Sequence, residues 1–273
     1  MSSRYIALSG SRPDFSGVIS RECRIALASA LVCAFLLPCK SPASAVDECL
    51  ALKDSLELCY TYQKAGSKKA RALIVTLPMR GRDRTSFGKI VEAISARRPE
   101  VSFLNFDLRG HGQSIISGAD SLSHLSMSRK EYARIPDDIR EALSKLRRKK
   151  RELKRLPVVV IGASIGANSA AILANIESRV KAAVMLSPGT DYLGLIPGPH
   201  VKMTDGKRML YMVGREDIYS YVSTDSLYRI TRGVTALNVY NTRFHGTNIP
   251  NNSEAALADL LKWLDETLEL IEK

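Results

Sequence analysis

The chain has 273 residues, 45% of them hydrophobic and 25% charged, with 17 Gly, 11 Pro and 5 Cys. This composition fills a sizeable core under an ordinary charged surface and excludes a disordered, collagen-like or disulfide-dense miniprotein chain. No apolar run reaches the roughly 18 residues that each span of a polytopic membrane protein needs. The 40 Lys and Arg exceed the 28 Asp and Glu by 12, which permits an anionic partner without requiring one. No repeat with a period of about 20–50 residues is visible.

The front of the chain reads as an address. Arg21 and Arg24 precede a 13-residue apolar run, Ile25 to Leu37, followed by Pro38 and the small-residue triplet Ala43-Ser44-Ala45. A basic region, an apolar region and an A-x-A site are the three parts of a secretory signal peptide. Cleavage is expected after Ala45, giving an exported protein, periplasmic or secreted, with a single domain over 46–273. The apolar run is short against the roughly 20 residues of a bilayer crossing; left uncleaved, it would tether the domain to a membrane. The long stretch before Arg21 points to a true start downstream of Met1, with Val18 as initiator. Pro38 makes a poor fit to lipidation at Cys39.

Removing this leader removes Cys23, Cys33 and Cys39 and leaves Cys49 and Cys59, ten residues apart. Between them Asp54-Ser55 suits a turn between two short strands. In an exported protein the pair is expected to form a disulfide; the alternative is two buried thiols. Residues 46–273 keep 35 basic and 26 acidic side chains.

Strand-like and helix-like segments then alternate. Residues 46–63 suit one or two antiparallel edge strands. Strands are predicted at 72–77 (ALIVTL), 101–106 (VSFLNF), 157–162 (PVVVIG), 180–186 (VKAAVML), 208–213 (RMLYMV) and 235–240. Helices are predicted near 86–97, at 129–154 as one long charged helix, and at 166–177, 220–231 and 252–271. Near-continuous apolar strands between helices imply an α/β fold with a mostly parallel sheet covered on both faces.

The chemistry is expected where a strand turns into a helix. Gly162-Ala163-Ser164-Ile165-Gly166 follows VVVI directly and opens a helical segment. A G-x-S-x-G there is a nucleophile elbow, whose glycines let strand and helix approach and whose strained turn projects the serine hydroxyl. The Ile165 backbone N–H then lies beside the reacting oxygen, aided by the helix N-terminus. A serine needs a base, and the base an orienting acid. The base is read as His245, in FHGT after the last strand, and the acid as Asp217, in VGREDIYS, with Glu216 and Asp191 as rival carboxylates. The order Ser164, Asp217, His245 is that of the α/β-hydrolases.

On these residues the sequence resembles the α/β-hydrolase superfamily, in a small esterase-like or dienelactone-hydrolase-like form, over roughly residues 50–270. Asp107-Leu108-Arg109-Gly110-His111-Gly112-Gln113-Ser114 is similar to the D-x-R-G-H-G-x-S segment of many members, which makes His111 structural rather than the base. Leu77-Pro78-Met79-Arg80-Gly81 stands where the family carries a His-Gly-x-x-Gly oxyanion loop, with Pro78 and Met79 replacing His-Gly. The resemblance implies a Ser–His–Asp hydrolase with oxyanion donors at the N–H groups of Ile165 and Arg80, Met79 being the next candidate.

Only about 20 residues separate the strands ending near 186 and starting near 208, too few for a large lid, so an open site and a small ester substrate are expected. Arg80, Arg82 and Arg84 in the oxyanion loop suit an anionic substrate group, or are solvated loop charges. No Cys/His cluster has zinc spacing, and no metal or other cofactor is expected. The basic run in 145–155 is read as a solvated helix face or, more sharply, a contact with an anionic envelope surface; nucleic acid is not expected, since aromatic interleaving is missing, and the protein is read as a monomer. The competing functions are a serine peptidase or acyltransferase on the same triad, and a catalytically silent binding member of the fold.

Overall fold

A computed structural model describes residues 45–271; the leader reading, over 1–45, falls almost entirely outside the described residues. The chain forms β1 (Ala45–Ala51), β2 (Glu57–Gln63), β3 (Ala72–Leu77), α1 (Gly88–Arg97), β4 (Val101–Phe106) and a minute hairpin, β5 (Ile116–Ser117) with β6 (Asp120–Ser121). It continues through α2 (Arg129–Tyr132), α3 (Ile135–Lys149), β7 (Val158–Ala163), α4 (Ile165–Ile176), β8 (Val180–Leu186), α5 (Gly198–Val201), β9 (Arg208–Gly214), α6 (Ile218–Ile230), β10 (Val234–Tyr240), α7 (Asn248–Asn252) and α8 (Glu254–Ile271). Eight strands make one sheet in the order β1-β2-β4-β3-β7-β8-β9-β10. The six from β4 to β10 in that order are mutually parallel, and β1 and β2 form the antiparallel edge.

Burial on both faces explains the unbroken apolar strands. In β3 and β7, Leu73, Val75, Leu77, Val158 and Val160 face a core closed by Ile139, Leu143 and Leu146 of α3 and the alanines of α4. The alternate residues Ile74, Val159 and Ile161 face a second core built on Ile90 and Ile94 of α1 and Leu260, Leu264 and Leu268 of α8. Period-two alternation is intact, but both sides of the sheet are apolar. The result is the expected α/β-hydrolase architecture with no large lid.

The predicted long helix 129–154 is in fact two helices and a short 3₁₀ turn. Ser128 and Glu131 cap α2 reciprocally, and Pro136 lies in the first turn of α3, where a missing N–H is tolerated and a continuous helix is not. The last predicted helix likewise begins at Glu254 rather than 252, because the chain breaks after α7.

At the edge, Cys49 is the register partner of Cys59, and the two are disulfide-bonded with Cα atoms 4.0 Å apart. The Cys59 N–H donates to Ser114 Oγ (2.8 Å), away from β1. The pair therefore occupies a non-hydrogen-bonded site of the β1–β2 ladder, where Cα atoms approach most closely. The reversal uses Ser55 in the left-handed region, φ 67°, with Ser55 N–H donating to Leu52 C=O (3.1 Å). A covalent bridge over a separation of ten residues limits the unfolded chain. Replacing Cys49 and Cys59 by Ser should cost about 2–3 kcal/mol of stability in denaturant unfolding, and digestion of unreduced protein should release the two segments as one linked peptide.

Candidate active site

The sharpest backbone feature lies between β7 and α4. Ser164 has φ 54° and ψ −116°, a conformation that side chains other than hydrogen rarely adopt and that stores of order 1–3 kcal/mol. Its neighbours impose it. A Cβ on Gly162 would lie 2.0 Å from the Gly166 carbonyl oxygen, and one on Gly166 would lie 2.1 Å from that of Leu77. The G-x-S-x-G spacing is thus the requirement that strand, helix and the end of β3 touch through backbone alone. The Ser164 N–H donates to Leu186 C=O (2.9 Å), tying the turn to β8. Ile165 supplies the first amide of α4, one of the N–H groups that no helical carbonyl can reach.

Two further strands deliver the other groups to the same sheet edge. Asp217 follows β9 and precedes α6; His245 follows β10. Arg215 N–H donates to Tyr240 C=O (2.8 Å) and Glu216 N–H to Thr242 C=O (3.1 Å), joining the two loops. They pass so close that a Cβ on Gly214 would meet Thr242 O at 2.5 Å and Phe244 O at 2.8 Å. His245 Nδ1 is 2.6 Å from Asp217 Oδ2. The rival carboxylates are elsewhere: Glu216 is exposed, and Asp191 pairs with Arg129 (2.5 Å) and accepts from Gly194 N–H.

The loop after His245 closes on the elbow. A Cβ on Gly246 (φ 58°) would lie 3.2 Å from Ala163 Cβ and 3.1 Å from Met79 Sδ, so the His245 loop packs on the residue before Ser164 and on the loop after β3 together. Gly246 N–H also donates to Ser187 Oγ (3.0 Å). Burial tends to raise the Asp217 pKa, but hydrogen bonds with His245 and Ser220, together with the charge of the imidazole, outweigh it and leave the carboxyl below its ordinary value. A carboxylate held ionised against Nδ1 orients the imidazole ring through that nitrogen.

Three residues here had no signal of their own in the sequence. Tyr192, in the segment between β8 and β9, shares a hydrogen bond with Ser220 Oγ (2.9 Å) and stands edge-on to the His245 ring. Burial raises its pKa to about 12, so the phenol keeps its proton. Ser220 Oγ lies 3.4 Å from His245 Nδ1. Ser187, with φ 52°, holds Gly246. Asp217 stands at the N-cap of α6 and Ser220 in its first turn, three residues on, a clue legible once that helix start is known. The segment carrying Tyr192 is fixed to α4, Asn168 donating to Leu195 C=O (2.7 Å) and accepting from Gly189 N–H (2.9 Å).

The loop after β3 separates its three arginines. Residues 79–82 form a turn closed by Arg82 N–H on Met79 C=O (3.1 Å), with Gly81 at φ 73°. The turn's own hydrogen bond thus uses neither the Met79 nor the Arg80 amide. The Arg80 side chain leans onto Tyr132, Nε donating to its hydroxyl (3.0 Å). Arg82 is exposed and borders a cavity of about 320 Å³ with Gly81, Thr85, Thr247 and Asn248. Arg84 departs from the expectation of three substrate-facing charges. Its guanidinium pairs with buried Asp107 and donates to Gln113 (2.7 Å) and Thr61 (2.9 Å), so it belongs to the scaffold.

Asp107 and Ser114 brace this floor, Ser114 Oγ donating to Asp107 C=O (3.0 Å), while a Cβ on Gly112 would collide with the Asp107 carboxylate at 2.3 Å. His111 is structural in placement, as the resemblance implied. It is 2% exposed, its Nδ1 meets Arg109 C=O (2.8 Å), its ring stacks on His124, and burial depresses its pKa to about 4.

The family model described as serine aminopeptidase, S33, matches residues 68–245. A search of curated proteins found no match. Among solved structures the chain is similar to the Pyrococcus furiosus esterase Pf2001 (16% identity, TM-score 0.66, covering 83% of this chain and 93% of that one). It is also similar to a dienelactone hydrolase from Anabaena variabilis (13%, 0.65, 84% and 99%) and to acetyl xylan esterase 1 from Thermoanaerobacterium (14%, 0.60, 81% and 84%).

Gly166→Ala drives a methyl into the Leu77 carbonyl and should cost about 3 kcal/mol or more. Gly88→Ala, with nothing within 4 Å of its Cβ, should be neutral or slightly stabilising in the same denaturant titration. Unfolded His111 protonates from about pH 6.5, but the folded ring resists protonation down to about 4. The unfolded state therefore binds more protons in that window, and native stability falls with acidification by up to about 3 kcal/mol. His111→Gln should flatten the pH dependence of unfolding between pH 6.5 and 4. With fold, matched family and elbow in agreement, the chain belongs to the S33 serine aminopeptidase family of the α/β-hydrolase superfamily.

Proposed function

We propose that this α/β hydrolase is an exported serine esterase that cleaves a small carboxylic ester through Ser164, His245 and Asp217. The observation that carries this reading is the 2.6 Å contact between His245 Nδ1 and Asp217 Oδ2, on a loop packed against the residue preceding the strained Ser164. His245 Nε2 takes the Ser164 proton as Oγ adds to the ester carbonyl. Asp217 steadies the imidazolium without itself becoming protonated. The N–H groups of Ile165 and Arg80 stabilise the oxyanion. Collapse expels the alcohol, protonated by His245, and water then releases the acid by the same steps in reverse.

Support for an ester rather than an amide is the esterases among the structural neighbours; the family model's description as an aminopeptidase favours a peptidase as the second reading. The Cys49–Cys59 bridge and the leader pattern support export. Arg82, beside the roughly 320 Å³ cavity, is the one loop arginine still placed to meet an anionic group of the substrate.

A fluorophosphonate probe should label the wild type and not Ser164→Ala; a wild type that stays unlabelled would favour a silent binding member. Asp217→Asn should lower kcat on the order of 10⁴-fold while leaving the fold intact. Matched ester and amide substrates separate esterase from peptidase. Arg82→Gln should lower kcat/KM for a carboxylate-bearing ester relative to its neutral analogue, and an unchanged ratio removes Arg82 from recognition.

A further inference from the structure

The positive charge of this protein is gathered at one end. All six mutually parallel strands are entered from the edge opposite the candidate active site, through residues 64–71, 97–100, 147–157, 177–181, 202–208 and 231–233. These segments hold 19 Lys and Arg against 4 Asp and Glu, leaving 16 against 22 for all the rest of 46–273. The loops that leave the strands at the other edge, 78–85, 107–115, 187–197, 214–217 and 241–247, hold 6 against 5. The charge asymmetry thus follows the strand direction.

At the centre of the basic end, two segments distant in sequence meet. Lys64, Lys68 and Lys69 from the β2–β3 connection face Arg151, Lys154 and Arg155 from the approach to β7 across a concavity of about 350 Å³. All six side chains are exposed, and none is in an ion pair among the described residues. Neighbouring acids are engaged: Glu48 with Lys150 (2.7 Å), Glu177 with Arg147 (3.2 Å), Glu100 with Arg98 (2.5 Å), while Glu152 accepts from Tyr62 (3.2 Å). A helix C-terminus explains cations at 147–150; it does not explain those at 64–69.

The chain also enters the domain here. Ala45 pairs with Gln63, so the first described residue lies at the same edge, one residue along β2 from Lys64. Forty-four residues precede it, including the apolar run Ile25–Leu37. We infer that this strand-entry end is a docking surface for a bilayer containing anionic lipid, holding the candidate active site turned away from the membrane. Charge complementarity supplies the attraction, at about fivefold in partitioning per Lys or Arg near the surface, and the contrast in charge between the two edges of the sheet sets which end faces the lipid. The inference is independent of the hydrolase chemistry, since no residue of the candidate active site takes part.

The test is sedimentation of the full chain with vesicles of phosphatidylcholine alone and with added phosphatidylglycerol, at low and high salt. Binding should rise with phosphatidylglycerol and collapse at 0.5 M NaCl, where the Debye length falls to roughly 4 Å. A variant with Lys64, Lys68, Lys69, Arg151, Lys154 and Arg155 all changed to Gln should bind about 100-fold or more weakly. Arg215→Gln with Arg243→Gln, at the other edge, should bind as wild type. On vesicles, amide exchange should slow in 64–71 and 150–156 and not in 214–217. Equal binding to both lipid compositions, an undiminished six-fold variant, or protection at 214–217 would overturn the proposal, as would capture by soluble polyphosphate in place of the vesicles.

Discussion

Close approach of three backbone segments, with no side chain between them, is the constraint on which the rim depends. Gly162, Gly166 and the carbonyl of Leu77 touch where β7 passes into α4 beside the end of β3. A methyl group at either glycine would part the strand from the helix. With them in contact, Ser164 has no relaxed conformation available, and its side chain is carried to the carboxyl edge of the sheet in a left-handed backbone. The favourable burial of two apolar cores supplies the energy that holds this local strain.

Around that point, the other functional candidates are placed by rigid attachments rather than by long flexible loops. The Asp217 and His245 loops are bonded to one another through backbone groups, and the His245 loop rests on Ala163 and Met79 through Gly246. Tyr192 is held on a segment that α4 pins through Asn168. Displacing any one of these loops therefore disturbs the others, since each uses a neighbour as its support.

Much of this was legible in the residues because two periodicities and a few glycines carry it. The runs ALIVTL and PVVVIG announce strands buried on both faces, and G-x-S-x-G marks the turn because only glycine survives backbone contact at 2 Å. The Cys49–Cys59 pairing was readable from a ten-residue spacing around Asp54-Ser55. The break between α2 and α3 escapes a reading by charge and helical period, because Pro136 stands in the first turn of the second helix and not at the break itself. Arg84 was grouped with Arg80 and Arg82 by proximity in sequence, whereas the tertiary position of Asp107 decides its partner. Tyr192 and Ser220 left no trace because aromatic and hydroxyl residues in a connection have no period, and only the folded rim brings them beside His245.

The edge of the sheet has a bearing on how this protein avoids self-association. Among the described residues β1 is an outermost strand with one side of its ladder unpaired, the kind of template onto which another chain can add. Holding it through Cys49 and Cys59 keeps the apolar face of β2, with Tyr60 and Tyr62, from being laid bare when the hairpin breathes. The bridge therefore guards against polymerisation as much as it adds to folding energy, and a chain that matured without it would be prone to clump before it lost its shape.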